Sequence, residues 1–228
     1  MQVIVLADGD VGSRAALDAA WPGWLGEERT VIAADGGARH AARLGLAIDR
    51  WVGDGDSLGE EGIAALIAAG VPVQRARVDK DESDTELAVL AGSRLRPSSL
   101  VILGALGGRR IDHALANVGL LTWLADQPID ASLLAHDVRV RLLSAMAAPD
   151  RAVRMALNGG IGDLVSLLPV GRDAIGVSTS GLAFALRDEP LVVGRTRGLS
   201  NVRIDADAAV ELRGGRLLVV ETPATLSR

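Results

Sequence analysis

The chain has 228 residues and a formal charge of −5, so it is long enough for one large domain or two smaller ones and lacks the basic balance of a nucleic-acid binder. It contains no Cys, which excludes disulfides, thiolate metal sites and cysteine nucleophiles. Hydrophobic residues make up 49% but aromatics only 2%, with four Trp, one Phe and no Tyr, so the core must be aliphatic.

In chain order, the first part of the sequence alternates short β-branched runs with Ala- and Leu-rich stretches of helical length, the pattern of βαβ units on a parallel sheet. Strands are expected at 2–7, 30–34, 50–53, 72–78 and 100–103, and helices at 13–20, 38–44, 60–69, 84–95 and 112–125. Ser83 followed by Glu86 fits a capping box and marks the start of the fourth helix. Two more strands, 131–135 and 138–144, are expected to carry the chain off the sheet. After Pro149 the pattern changes to short strands punctuated by Gly, Asp and Ser, at 164–170, 174–180, 182–186, 191–194 and 209–221, the spacing of an all-β sandwich. The last run reads as a hairpin turning at Gly214-Gly215. The predicted organisation is an α/β domain with a Rossmann-like parallel sheet over 1–146 and a β-sandwich over 147–228. No apolar run reaches the roughly 18 residues of a membrane span. The N-terminus MQVIVLADGD has no basic region before its short apolar run, so neither a signal peptide nor a membrane anchor is expected and the predicted location is cytoplasmic.

In an open parallel sheet, ligands bind beyond the carboxyl ends of the strands. The acids fall there: Asp8 after the first strand, Asp35 after the second, Asp54 and Asp56 after the third, Asp79, Asp81 and Asp84 after the fourth, Asp112 after the fifth. Carboxylates gathered so closely repel one another unless a cation neutralises them. Hard oxygens, no Cys and only His40, His113 and His136 favour Mg²⁺ over zinc. An EF-hand is excluded, since a loop starting at Asp54 puts Leu58 and Ala65 at ligand positions and one starting at Asp79 puts Asp84 where Gly is required. There is no GxxxxGK[ST] and no GxGxxG, but ADGG (34–37) and GALGG (104–108) each follow a strand and precede a helix, a setting in which backbone N–H groups can face phosphate. Arg109 and Arg110 add positive charge beside Gly107 and Gly108, and His113 and Asn117 share one side of the helix that follows. His40 and His136 belong to no such constellation and read as structural.

The ordered set ADGG, GDGDS (53–57), KDESDTELA (80–88), GALGGRRIDHALANV (104–118), GDLVSLLP (162–169), GLAFAL (181–186) and GLSN (198–201) resembles the thiamine pyrophosphokinase family across nearly the whole chain. The resemblance implies an α/β domain, a β-sandwich and a homodimer with active sites at the subunit interface. It implies transfer of pyrophosphate from ATP to the hydroxyl of thiamine, with Mg²⁺. Carried over motif by motif, Asp54, Asp56 and Asp84 would hold metal and phosphates, with Asp35, Gly36 and Gly37 lining the same cleft. Lys80, Asp81, Arg110 and Asp112 would complete the nucleotide and thiamine site, and Asp84 and Asp112 are the candidates for the proton acceptor. Phe184, Ser200 and Asn201 would hold thiamine from the other subunit. The family's GGRxDH here reads GGRRIDH, so Arg109 or Arg110 can be its arginine, with Arg110 preferred by counting back from Asp112. Phe184 stands where Trp or Tyr is frequent, keeping a stacking face without a polar handle. Two alternatives remain open at this level: a pyrophosphokinase for a hydroxymethyl pterin, and a nucleotide- or metal-sensing module without turnover.

Overall fold

The computed structural model describes residues 1–108, 110–146 and 151–224. The chain divides into two compact units, Met1–His136 and Asp137–Arg228. Among the described residues no helix is long and apolar enough to cross a membrane.

The first unit runs β1 (Gln2–Leu6), α1 (Arg14–Ala20), β2 (Arg29–Ala34), a 3-10 turn (Asp35–Ala38), α2 (Arg39–Leu44), β3 (Arg50–Gly53), α3 (Gly59–Ala68), β4 (Val73–Arg75), α4 (Asp84–Ser93), β5 (Ser99–Leu103), α5 (Ile111–Leu124) and β6 (Asp130–Leu134). Its strands pair in parallel in the order β6-β5-β1-β2-β3-β4. From β1 the chain moves outward through β2 and β3 to β4, then returns to place β5 on the other side of β1. The winding therefore reverses between β1 and β5, and it is beyond the strand ends at such a reversal that an open sheet forms a crevice. Apolar runs such as Val3–Val5 of β1 are fully buried, as a sheet covered on both faces requires.

Three tryptophans give this core its bulk. Trp21 and Trp24 pack with Ile4, Leu6, Leu17 and Leu44, while Trp51 packs with Ile63. The buried indole N–H groups are satisfied, Trp21 Nε1 donating to the Ala135 carbonyl at 2.7 Å and Trp51 Nε1 to the Asp35 carbonyl at 3.0 Å. Side-chain oxygens open two helices, Ser13 accepting from Ala16 N and Ser83 from Glu86 N. Two predictions for this unit change. Strand β4 is only Val73–Arg75, an edge strand with Gln74 and Arg75 exposed. Strand β6 does not leave the sheet but pairs with β5 from Ser99↔Asp130 to Leu103↔Leu134.

The second unit contains β7 (Arg139–Ser144), β8 (Val153–Ala156), β9 (Leu164–Pro169), β10 (Ala174–Ser180), β11 (Glu189–Leu191), β12 (Asn201–Val202), β13 (Ala209–Leu212) and β14 (Arg216–Thr222). Antiparallel pairing gives two layers, β12-β9-β14-β7 and β11-β10-β13-β8. Alternate residues of both layers, among them Leu143, Val165, Leu167, Leu217 and Val219 on one and Ala174, Val177, Val210 and Leu212 on the other, make one aliphatic core. The divide between units precedes β7, because β7 pairs with β14; the sequence puts the change near 147, and residues 147–150 lie outside those described. The hairpin expected at Gly214-Gly215 is not one: β13 and β14 belong to different layers, and the turn carries the chain from one to the other. Residues 182–186 form no strand, only a bridge from Leu182 to Arg203.

Candidate active site

In the first unit the ends of β1, β2 and β5 and the start of α4 surround a cavity of about 430 Å³ at the winding reversal. Its walls form because the loops can approach one another closely. A Cβ at Gly36 would lie 2.5 Å from the Asp8 carboxylate, and one at Gly37 2.0 Å from the Leu6 carbonyl, so the glycines of ADGG let the turn after β2 close onto β1. Gly9 is equally constrained, with the Gly104 and Gly107 carbonyls 2.3 and 2.4 Å from where its Cβ would be.

Asp35 opens the turn with the left-handed φ of 42°, unusual for a residue bearing Cβ. Its carboxylate compensates by accepting from Ser57 N at 2.9 Å and Leu58 N at 3.2 Å, which ties the end of β2 to the loop after β3. Burial raises its pKa, against those two N–H groups, and the Asp56 and Asp84 carboxyls raise it further. One carboxylate oxygen each from Asp35, Asp54 and Asp84 lies within 4.8 Å of the others, a set of hard donors that fits Mg²⁺. Lys80 reaches into the same group, its Nζ 2.7 Å from Asp54 Oδ2 and 3.0 Å from Asp84 Oδ1. The hydrogen bond from Lys80 lowers the pKa of Asp54, whereas burial raises that of Asp84 despite the lysine. Burial would lower the pKa of Lys80, but its bonds to Asp54 and Asp84 outweigh this and raise it.

The other predicted residues fall as follows. Asp56 lines the cavity and its N–H donates to Asp54 Oδ1 at 3.1 Å, but the close carboxylate set holds Asp35 in its place. Gly36, Gly107, Gly108, Arg110, His113 and Asn117 line the wall, while Gly37, Asp81 and Asp112 do not. Asp81 is exposed. Arg110 pairs with Asp112 at 2.9 Å, and this guanidinium holds the Asp112 carboxyl at about 2. Asn117 is buried and donates to the Ala105 carbonyl at 2.9 Å, anchoring α5 to the loop after β5. Arg109 lies outside the described residues. The cavity also gains Asp8, Ser57, Ser83 and Thr85. Arg39, immediately after ADGGA, braces it by an ion pair to Asp8 (3.1 Å) and a bond to the Ser57 carbonyl (2.7 Å). The position of Arg39 directly behind the glycines was its only signal in the sequence.

In the second unit, Phe184 presents its ring to solvent with 71% of the residue exposed. Its backbone is held on both sides by buried Asn201, which accepts from Phe184 N at 2.9 Å and donates to the Phe184 carbonyl at 2.7 Å. Ser200 adopts a left-handed φ of 56° while its N–H donates to Ser166 Oγ at 3.0 Å.

A parallel sheet whose winding reversal gathers carboxylates, a lysine and glycine-rich loops is the setting in which α/β enzymes handle nucleotide phosphates. Two family models make the assignment specific: "Thiamin pyrophosphokinase, catalytic domain" matches residues 23–133, and "Thiamin pyrophosphokinase, vitamin B1 binding domain" matches residues 152–217. The chain belongs to the thiamin pyrophosphokinase family. No curated protein sequence matches it significantly. Among solved structures, thiamine pyrophosphokinase from Bacillus subtilis is similar with a TM-score of 0.81 at 21% identity, covering 98% of this chain and 99% of that one. The enzyme from Geobacillus thermodenitrificans gives 0.78 at 22%, covering 97% of each chain. That from Candida albicans gives 0.75 at 14%, covering 97% of this chain and 88% of that one. At these identities the likeness is one of fold.

Proposed function

We infer that the chain is a thiamine diphosphokinase, which moves the pyrophosphoryl group of ATP to the hydroxyl of thiamine and releases AMP. One observation carries this reading: Asp35, Lys80 and Asp84 of the cavity wall, with Asp54 bonded to Lys80 behind them, all lie within the span matched by the catalytic-domain model. In the reaction the hydroxyl oxygen forms a bond to the β-phosphorus, the bond from that phosphorus to the α–β bridging oxygen breaks, and AMP leaves with the electron pair. The protein's task is to align these groups and neutralise the phosphates.

Asp35, Asp54 and Asp84 are the residues we assign to Mg²⁺, with Asp56 beside them. When bound, the ion would offset charge on the phosphate oxygens. Lys80 and Arg110 on the cavity wall supply further positive charge to the nucleotide, and Gly36, Gly107 and Gly108 on the same wall let it approach the backbone. Of the two candidates for accepting the hydroxyl proton, Asp112 is the weaker base, being held at about 2 by Arg110 and standing off the cavity wall. Asp84, which lines the cavity, is the candidate we keep. Phe184 offers a π-face for the thiamine rings, on a backbone that Asn201 keeps fixed. We read the sheet as Rossmann-like and the active unit as a cytoplasmic homodimer, for which exposed Phe184, Leu199 and Ile204 supply apolar surface.

The test is acceptor-dependent turnover. With ATP and Mg²⁺, AMP should form on adding thiamine and not on adding a hydroxymethyl pterin. AMP formed only with the pterin overturns the choice of acceptor. ATP binding without AMP from either overturns the assignment as an enzyme.

A further inference from the structure

The contact between Lys80 and the acidic group carries a consequence beyond holding phosphate. Its ammonium sits on oxygens of Asp54 and Asp84, at 2.7 and 3.0 Å, and these are two of the three side chains whose oxygens converge within 4.8 Å. The lysine side chain is only 13% exposed, so this is no solvated surface pair. Resting on the reading of that trio as a metal site, we propose that Lys80 and the divalent cation compete for the same carboxylate oxygens, so that metal loading moves the ammonium off Asp54 and Asp84 and onto the nucleotide's phosphates.

The placement of Lys80 suits such an exchange. It lies in the loop between β4 and α4, ahead of the helix that begins at Asp84, so its side chain can swing without shifting an element. It lines the cavity together with Gly107, Gly108 and Arg110, so the displaced ammonium stays in the same compartment. It is also the single lysine in a chain that otherwise uses arginine for basic charge. A guanidinium is a rigid planar fork that would lock onto a carboxylate, whereas an ammonium on four methylenes pivots and re-forms its bonds in any direction. Charge balance points the same way. Three carboxylates with one ammonium keep a net negative charge, a divalent cation in the ammonium's place leaves less of it, and the triphosphate is then the more negative partner for the ammonium. Metal alone should therefore bind weakly, and metal and nucleotide should strengthen each other's binding.

The experiment titrates Mn²⁺, read by its electron spin resonance signal, into the full chain with and without α,β-methylene-ATP. Wild type is compared with Lys80→Met, Lys80→Gln and Asp84→Asn, and each variant's melting curve is checked for folding. Lys80→Met and Lys80→Gln should both bind Mn²⁺ about tenfold more tightly without nucleotide, the effect of removing one competing charge a few Å away. The tightening of Mn²⁺ by the nucleotide analogue should shrink in both. If they bind Mn²⁺ no more tightly than wild type while Asp84→Asn loses it, the exchange is wrong and the metal site stands. If wild type binds no Mn²⁺ even with the nucleotide analogue present, or Asp84→Asn binds as wild type does, the metal reading fails and the exchange fails with it.

Discussion

Two clusters of partly or fully buried charge, one in each unit, are built on opposite plans. In the first unit, the carboxylates of Asp35, Asp54 and Asp84 converge with one lysine, which bonds Asp54 and Asp84, beside a cavity that Asp35 and Asp84 line. In the second, one carboxylate has two arginines: Glu221 of β14, 1% exposed, pairs with Arg139 and Arg141 of β7, each at 2.9 Å, and accepts from Asn158 N at 3.3 Å. Arg141 also donates to the Ala156 carbonyl at 2.8 Å, linking the two layers of the sandwich. Burial would raise the Glu221 pKa, but Arg141 and Arg139 outweigh it and hold it low. Burial wins instead at Asp35 and Asp84, where positive charge is scarce. A sealed cluster with its charges matched holds strands together, whereas an open cluster left short of positive charge is a place for a ligand to complete.

Conservative amide substitutions sharpen this contrast. Asp84→Asn should lower AMP formation by about a thousandfold or more, as expected when a group that positions metal and phosphates is lost. Its melting temperature should stay level or rise, because a buried carboxylate with a raised pKa is a strain on the folded state at neutral pH. Glu221→Gln should do the reverse. It leaves buried Arg141 and partly buried Arg139 without their counter-charge, an expected loss of about 3 kcal/mol seen as a lower denaturant midpoint, with activity per folded molecule kept.

The pH dependence follows the same division. Glu221 has a depressed folded pKa, so its contribution is fully present above its ordinary value of 4.5 and is lost as pH falls through the lower folded value. Wild type should therefore lose stability on acidification below about pH 4.5, and Glu221→Gln should show a flatter curve across that window when followed by circular dichroism. The smallest effect belongs to Asn201→Ala. Removing the side chain that holds Phe184 N and O should raise KM for thiamine about tenfold with little change in KM for ATP, each bond being worth about 1 kcal/mol.

Much of the first unit was legible because its elements are announced locally. Buried strands appear as unbroken Val, Ile and Leu runs, Ser83 with Glu86 marks the start of α4, and a parallel sheet then dictates that Asp35, Asp54 and Asp84 meet at one edge. The exchange of Asp35 for Asp56 in the tight trio was not legible. It depends on the left-handed turn at Asp35 and on the two N–H groups of the β3–α3 loop that fix its carboxylate. In the second unit, period-two patterning located most strands but could not tell which layer each joins. The Gly214-Gly215 turn looks like a hairpin and crosses between layers, a difference set by long-range packing of β13 and β14. Glu221 gave no signal at all, since it sits near the end of an apolar strand and its partners lie about 80 residues away.

The most direct test of the account is a thermal shift with Mg²⁺ and α,β-methylene-ATP on wild type, Asp84→Asn and Glu221→Gln. A ligand that binds only the folded state at about 100 times its Kd should stabilise it by about 2.7 kcal/mol. The expected result is a full upward shift in wild type and in Glu221→Gln, from its lower starting point, and little or none in Asp84→Asn. An equal shift in Asp84→Asn, or its loss in Glu221→Gln with the fold intact, would contradict the assignment of chemistry to the open cluster and structure to the sealed one.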